Sequence, residues 1–174
     1  MKFPRVLAVV APFALVAVAF GHANWPAASL PTGTVADSVV VRKHQRELVL
    51  LRQGVVLKRY RVALGRSPVG PKAQEGDRRT PEGLYTLDYR NAKSSFHLSL
   101  HVSYPDAKDA ARAARMNVPA GSLIMIHGLR NGLGFIGKFH RVVDWTNGCI
   151  AVTNPEIEEI WRCVQDGTPV KIMP

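Results

Sequence analysis

The chain is poor in the residues that most often announce a function. It has two cysteines in 174 residues, too few for a disulfide framework. It has no Cys-x-x-Cys and no His-Glu-x-x-His, so nothing in it has the tight spacing of a structural or catalytic metal site. No glycine-rich nucleotide loop is present. No metal and no cofactor is therefore expected. Only one long apolar run exists, which excludes a multi-pass membrane protein. Acidic residues are scarce: 13 Asp and Glu stand against 23 Lys and Arg, a net charge of +10. Such a surface favours anionic partners, which include nucleic acid, acidic lipid and anionic wall polymers. What is present is ordinary for a folded protein, with 47% hydrophobic and 21% charged residues, so disorder of the whole chain is excluded.

The apolar run lies at the start. Lys2 and Arg5 precede fifteen uncharged residues, 6–20, and Gly21-His22-Ala23 follows as a small-x-small triplet. That order reads as a secretory signal cut after Ala23. The run is short for a span and Pro12 interrupts it. An uncleaved anchor is the alternative, and only then is a membrane a partner. Export argues against nucleic acid. Residues 24–37 are rich in Pro, Ala, Gly, Ser and Thr and read as a flexible linker. The folded domain is expected over 38–174.

Within it, short β-branched runs split by turn signals predict strands over 38–42, 47–52 and 55–64. Residues 65–83 hold four Gly and three Pro and read as a long loop. Strands follow over 84–89, 96–103, 122–127 and 169–172. In the 96–103 run, Phe96, Leu98, Leu100 and Val102 alternate with His97, Ser99, His101 and Ser103. Residues 106–116 suit a short helix. Asn154 as N-cap and Pro155 at the first turn open a second helix. Its stripe of Ile157, Ile160, Trp161 and Val164 leaves Cys163 to one side as a partly exposed thiol. The fold is expected to be mainly β with one or two helices.

The chemistry-bearing segment is Asp144-Trp145-Thr146-Asn147-Gly148-Cys149-Ile150. A thiol in a polar turn becomes a nucleophile when an imidazole takes its proton. Glycine lets the backbone approach a substrate carbonyl, and the Gly148 and Cys149 amides would form an oxyanion hole. His127 ends an apolar strand, His140 lies in a basic loop, and His101 sits on a strand's polar face. Spacing alone leaves the base open between His127 and His140. Three plainer readings compete: a Cys149–Cys163 disulfide, a metal gathered by His101, His127, His140 and Cys149, and Trp145 as simple packing. Arg78 and Arg79 read as a solvated loop face.

Three segments together resemble the L,D-transpeptidase catalytic domain family (YkuD type). They are Gly76-Asp77-Arg78-Arg79-Thr80-Pro81-Glu82-Gly83-Leu84-Tyr85, Ile126-His127-Gly128, and Thr146-Asn147-Gly148-Cys149-Ile150, in the family's order. The resemblance implies a β-sandwich-like fold and acyl transfer on peptidoglycan stem peptides, with a wall-linked protein as a further acceptor. It implies Cys149 as nucleophile, His127 as base and the Gly128 carbonyl as the group that orients it. Three features depart from the family pattern. Asn147 stands where a histidine is usual, eighteen residues separate His127 from Thr146, and Ala151 stands where arginine is frequent. The last leaves a substrate-carboxylate contact to Arg141 or Arg130, with His140 and His101 as further substrate-side residues. A hydrolase using the same residues and a silent wall-binding module are the rival functions.

Overall fold

A computed structural model describes residues 28–174. The expected leader, 1–23, lies outside the described residues. The fold is mainly β: eight strands form one sheet in the order β3-β2-β1-β8-β4-β5-β6-β7. These are β1 Ser38–Arg42, β2 Glu47–Arg52, β3 Val55–Arg61, β4 Gly83–Asn91, β5 Ser99–Val102, β6 Met125–His127, β7 Ile150–Ala151 and β8 Thr168–Met173. Two α-helices, α1 Ala107–Arg115 and α2 Asn154–Cys163, and a kinked 3-10 segment, Gly134–Val142, complete it. The sheet curls: Ala63, just past β3, bridges to Ala151 of β7, so its two ends meet. No helix among the described residues is long and apolar enough to cross a membrane.

Strand alternation explains the core. Val39 and Val41 of β1, Leu48 and Leu50 of β2, and Val170 and Ile172 of β8 point inward. Each such side chain contributes roughly 1.5–3 kcal/mol by leaving water. Pro169 lies within β8 yet breaks no ladder, because β1 pairs with β8 only from Val170 onward. Helix α2 presents Ile157, Ile160 and Val164 to the same core. Thr153, not Asn154, is its N-cap: Glu156 accepts from the Thr153 amide at 2.9 Å and from its hydroxyl at 2.8 Å. Asn154 instead accepts from the Leu129 amide at 2.8 Å.

Four local expectations change. β5 begins at Ser99, because His97 takes a positive φ of 67° and ends the alternation. Ser99 is then only 2% exposed and not on a polar face. β6 begins at Met125, after Leu123 with φ 58°. Residues 28–37, expected as linker, pack on the domain where they are described. Ala36 is buried and donates to the Cys163 carbonyl at 2.8 Å. The Leu30 amide reaches Glu159 at 2.5 Å, and that buried carboxylate also accepts from Tyr60 at 2.8 Å and pairs with Lys58. A buried carboxylate needs such partners, and the incoming segment supplies one.

Candidate active site

β6 and β7 run parallel, with Ile126 level with Ile150 and His127 with Ala151. Carrying that register one residue back sets Cys149 level with Met125. A period of two then puts the side chains of Cys149 and His127 on one face of the sheet. The turn that presents Cys149 is held from several sides. Asp144 accepts from the Leu64 amide at 2.9 Å and pairs with Arg46 at 2.7 Å. Thr146 exchanges backbone bonds of 3.1 Å with Leu64 and Arg66. Its hydroxyl donates to the Cys149 carbonyl at 2.7 Å and accepts from the Gly148 amide at 3.1 Å. The Gly148 amide is thus engaged within the turn, and the Gly148 part of the expected oxyanion hole is not open. Gly148 itself is required: its φ is 131°, and a Cβ there would lie 2.7 Å from the Arg79 carbonyl oxygen.

His127 is 4% exposed and packs against both Phe96 and Trp145, with ring centroids 4.6 and 5.7 Å away. Its Nδ1 is 2.6 Å from the Gly128 carbonyl oxygen. A carbonyl can only accept, so Nδ1 carries the proton and Nε2 presents a lone pair. Gly128 is fixed in turn by the close approach of Phe96 and Asn154, which would lie 3.1 and 2.8 Å from a Cβ there. Burial holds the His127 imidazole below its ordinary pKa, and the Gly128 bond opposes this. Burial likewise pushes the Cys149 thiol up, against a backbone hydrogen bond from Met125 and the charge of Lys72. Both shifts favour the uncharged forms, a thiol and an imidazole. The thiol lies 3.6 Å from the Leu123 carbonyl, a match for a protonated sulfur.

Two cavities meet at Cys149. One, of about 530 Å³, is lined by His127, Phe96, Trp145, Ser99, Arg66 and Arg130 among others. The other, of about 480 Å³, is lined by Lys72, Glu75, Arg78 and Ser122 among others. Cys149, Asn147 and Leu123 border both. A sulfur bordered by two clefts can be reached by two different groups, one from each side.

Comparison with known proteins places the chain. Residues 36–172 match the L,D-transpeptidase catalytic domain family, YkuD. The chain belongs to that family. YafK of Escherichia coli (strain K12), which carries an L,D-transpeptidase name, is 27% identical over 132 residues, covering 72% of this chain and 46% of YafK. The fold is shared with the helical cell shape determining protein Pgp2 from Campylobacter jejuni, at TM-score 0.57 and 23% identity over 88% of this chain and 52% of Pgp2. It is shared also with Bd1075 of Bdellovibrio bacteriovorus, at TM-score 0.56 and 23% identity over 83% and 50%. The chain spans about half the length of these relatives.

Against this L,D-transpeptidase fold, the sequence-derived residues divide clearly. Cys149, His127, Asn147 and Arg130 border one cavity. His140 does not line it. His140 stands behind Trp145, whose indole donates to its Nδ1 at 3.3 Å. Arg141 is committed to Glu156 at the start of α2, so it is not available to a substrate carboxylate. His101 pairs with Asp88 at 2.6 Å and stacks on Tyr89, and lines neither cavity. Cys163 is 1% exposed, not partly exposed, because α2 turns that side into the core. Both cysteines are free. Among the described residues no cluster of three His, Cys, Asp or Glu stands ready for a metal. Arg66 and Lys72 were missed. Both lie in the 65–83 loop, and only the folding of that loop beside the thiol brings them to the site.

Proposed function

We propose that this chain is an exported cysteine acyltransferase that forms or remodels peptidoglycan stem-peptide cross-links in the cell envelope. The observation that carries the reading is a single one. Cys149 and His127 share a sheet face and one cavity, and the hydrogen bond to Gly128 leaves the His127 Nε2 lone pair free. The L,D-transpeptidase family, whose members act on peptidoglycan, supports the substrate class. The leader expected over 1–23 supports export, and the net charge of +10 suits an anionic wall.

The chemistry runs in two halves. The stem peptide's carbonyl carbon, between an L-centre and the following D-residue, is attacked by the Cys149 sulfur as His127 Nε2 takes the thiol proton. The Gly128 carbonyl steadies the resulting imidazolium through Nδ1–H. The Cys149 amide is the donor of the turn left for the oxyanion. The C–N bond breaks, His127 returns the proton to the leaving amine, and a thioester remains. An acceptor amine on a neighbouring stem, or on a wall-linked protein, then adds to that carbonyl. Its proton passes through His127 to the departing sulfur. Arg66 and Arg130 supply positive charge on one side and Arg78 on the other, where Lys72 is already paired with Asp77 at 2.8 Å. Asn147 offers a neutral amide to either substrate.

The two cavities favour transfer, which needs two substrates at one sulfur. A peptidoglycan carboxypeptidase or amidase would use the same residues with water as acceptor. Product analysis after incubation with tetrapeptide stems separates the readings. Cross-linked dimers that vanish in Cys149→Ala support transfer, and trimmed monomers alone support hydrolysis. Stems that bind and emerge unchanged leave a silent wall-binding module and overturn the enzymatic reading.

A further inference from the structure

Leu123 is a leucine where neither packing nor backbone preference asks for one. Its φ is 58°, in the left-handed region that favours glycine and asparagine. The other five described non-glycine residues with positive φ are Arg46, Gln53, Arg78, His97 and Asn117, all polar. Leu123 is also 64% exposed, so its side chain adds little to the core. The conformation is held from outside. The Glu75 amide donates to the Pro119 carbonyl at 2.8 Å, and the Val102 amide to the Ile124 carbonyl at 2.8 Å. Ile124 itself is buried. An unfavourable conformation kept by its surroundings marks a place where a side chain has work other than folding.

Its position identifies that work. Leu123 borders both cavities, and its carbonyl is the hydrogen-bond acceptor of the Cys149 thiol. Apart from Cys149 it shares this double position only with Asn147 among the residues lining them. Leu123 thus meets the sulfur through its backbone, and its exposed aliphatic side chain belongs to the junction of two clefts that also carry Arg66, Arg78 and Arg130.

We propose that Leu123 is a specificity-determining residue that shields the Cys149 thioester from water and so biases the acyl group toward an amine acceptor. The inference rests on the acyl-enzyme reading above. With an amine, nitrogen adds to the thioester carbonyl, the C–S bond breaks, and the proton lost by nitrogen returns to sulfur. The products are an amide and the free thiol. With water, the same steps give a carboxylic acid and the free thiol. An amine acceptor is held by its own contacts in one cleft, whereas water must reach the carbonyl unaided. An apolar group at the junction penalises water selectively.

The test uses the full chain and the variants Leu123→Gly, Leu123→Asn and Leu123→Met. Gly and Asn adopt positive φ readily, so both are expected to keep or raise the melting temperature. Met retains an apolar side chain of similar volume. The acyl-enzyme is formed with a stem tetrapeptide, freed of excess peptide, and followed by intact mass without acceptor. The Gly and Asn variants are expected to lose the acyl group at least roughly fivefold faster, as exposure to water increases. The dimer-to-trimmed product ratio falls with an amine stem present, and Met stays near the parent protein. Lifetimes of Gly and Asn within twofold of the parent overturn the proposal, as does Met behaving like Gly. A parent protein that never acylates at Cys149 overturns the acyl-enzyme reading itself and this inference with it. Acylation with unchanged lifetimes overturns this inference alone.

Discussion

His127 and His140 are two buried histidines that both contact Trp145, with ring centroids 5.7 and 6.3 Å from it, and their surroundings differ. Both are held below the ordinary histidine pKa by burial, His140 to about 4 with help from Arg141. Both are therefore neutral at pH 7. They differ in which nitrogen is tied. At His127 the Gly128 carbonyl accepts from Nδ1–H, and Nε2 keeps a free lone pair in a residue that lines the same cavity as Cys149. At His140 the Trp145 indole donates to Nδ1, so the ring proton sits on Nε2, which is buried without a partner. One ring has a free lone pair and lines the cavity that Cys149 also borders, and the other has a buried N–H with no partner and does not line that cavity. A perturbed pKa alone does not make a general base; tautomer and outlook do.

The largest expected effect separates the two rings directly. His127→Ala is expected to slow acylation by at least roughly 10²-fold. His140→Asn, which keeps an acceptor for Trp145, is expected to stay within a few-fold. Stopped-time intact mass measures both, and the reverse ranking would hand the base to His140.

A second expectation concerns stability in acid. The unfolded chain protonates His140 near its ordinary pKa of about 6.5, whereas the folded chain resists until about 4. Protons thus favour the unfolded state across that window, and stability falls as pH drops through it. The loss from this ring saturates at about 3 kcal/mol. Urea titrations at pH 7 and pH 4.5 are expected to show a smaller acid loss in His140→Asn than in the parent. Equal losses would place the proton elsewhere.

A third concerns the working pair. A neutral thiol–imidazole pair needs an unprotonated His127, and burial holds its pKa below the ordinary value. The acid limb of the acylation profile is therefore expected at a midpoint under about 6.5, with activity lost as pH falls. A midpoint above that value would mean that the site favours the His127 imidazolium instead of suppressing it by burial. The smallest effect falls on the shared tryptophan. Trp145→Phe removes a 3.3 Å hydrogen bond and leaves His140 Nδ1 unpaired, at a cost of about 1 kcal/mol measured by denaturant titration.

The same contrast shows what the sequence could tell. Strand and helix positions follow from alternation and capping signals, which are local, and nearly all were legible. Both shifted strand starts came where a single residue left the regular backbone, at His97 and Leu123, since neither residue type announces a positive φ. The roles of His127 and His140 could not be divided by spacing, because the deciding bonds run to Gly128 and Trp145. The resemblance to the family favoured His127, and the geometry supplies a physical reason. Arg141 looked available to substrate because its partner Glu156 lies fifteen positions away. Arg78, read as part of a solvated loop face, borders one of the two cavities, and Arg66 and Lys72 carried no signal of their own. The 65–83 segment reads as a loop, yet it is tied down by Thr80 accepting from the Gly65 amide at 3.2 Å and by Lys43 donating to the Thr80 carbonyl at 2.9 Å. Those contacts span fifteen and thirty-seven residues and are invisible to a local reading.

The most direct test is to find where the acyl group lands. The full chain is mixed with a tetrapeptide stem, quenched in acid and digested, and the mass added to each peptide is read. The expected result is the stem acyl group, less its terminal D-residue, on the peptide carrying Cys149, with nothing on the peptide carrying Cys163 and nothing in Cys149→Ala. An adduct that survives in Cys149→Ala, or stems consumed through another residue, would contradict the assignment of that sulfur as the nucleophile.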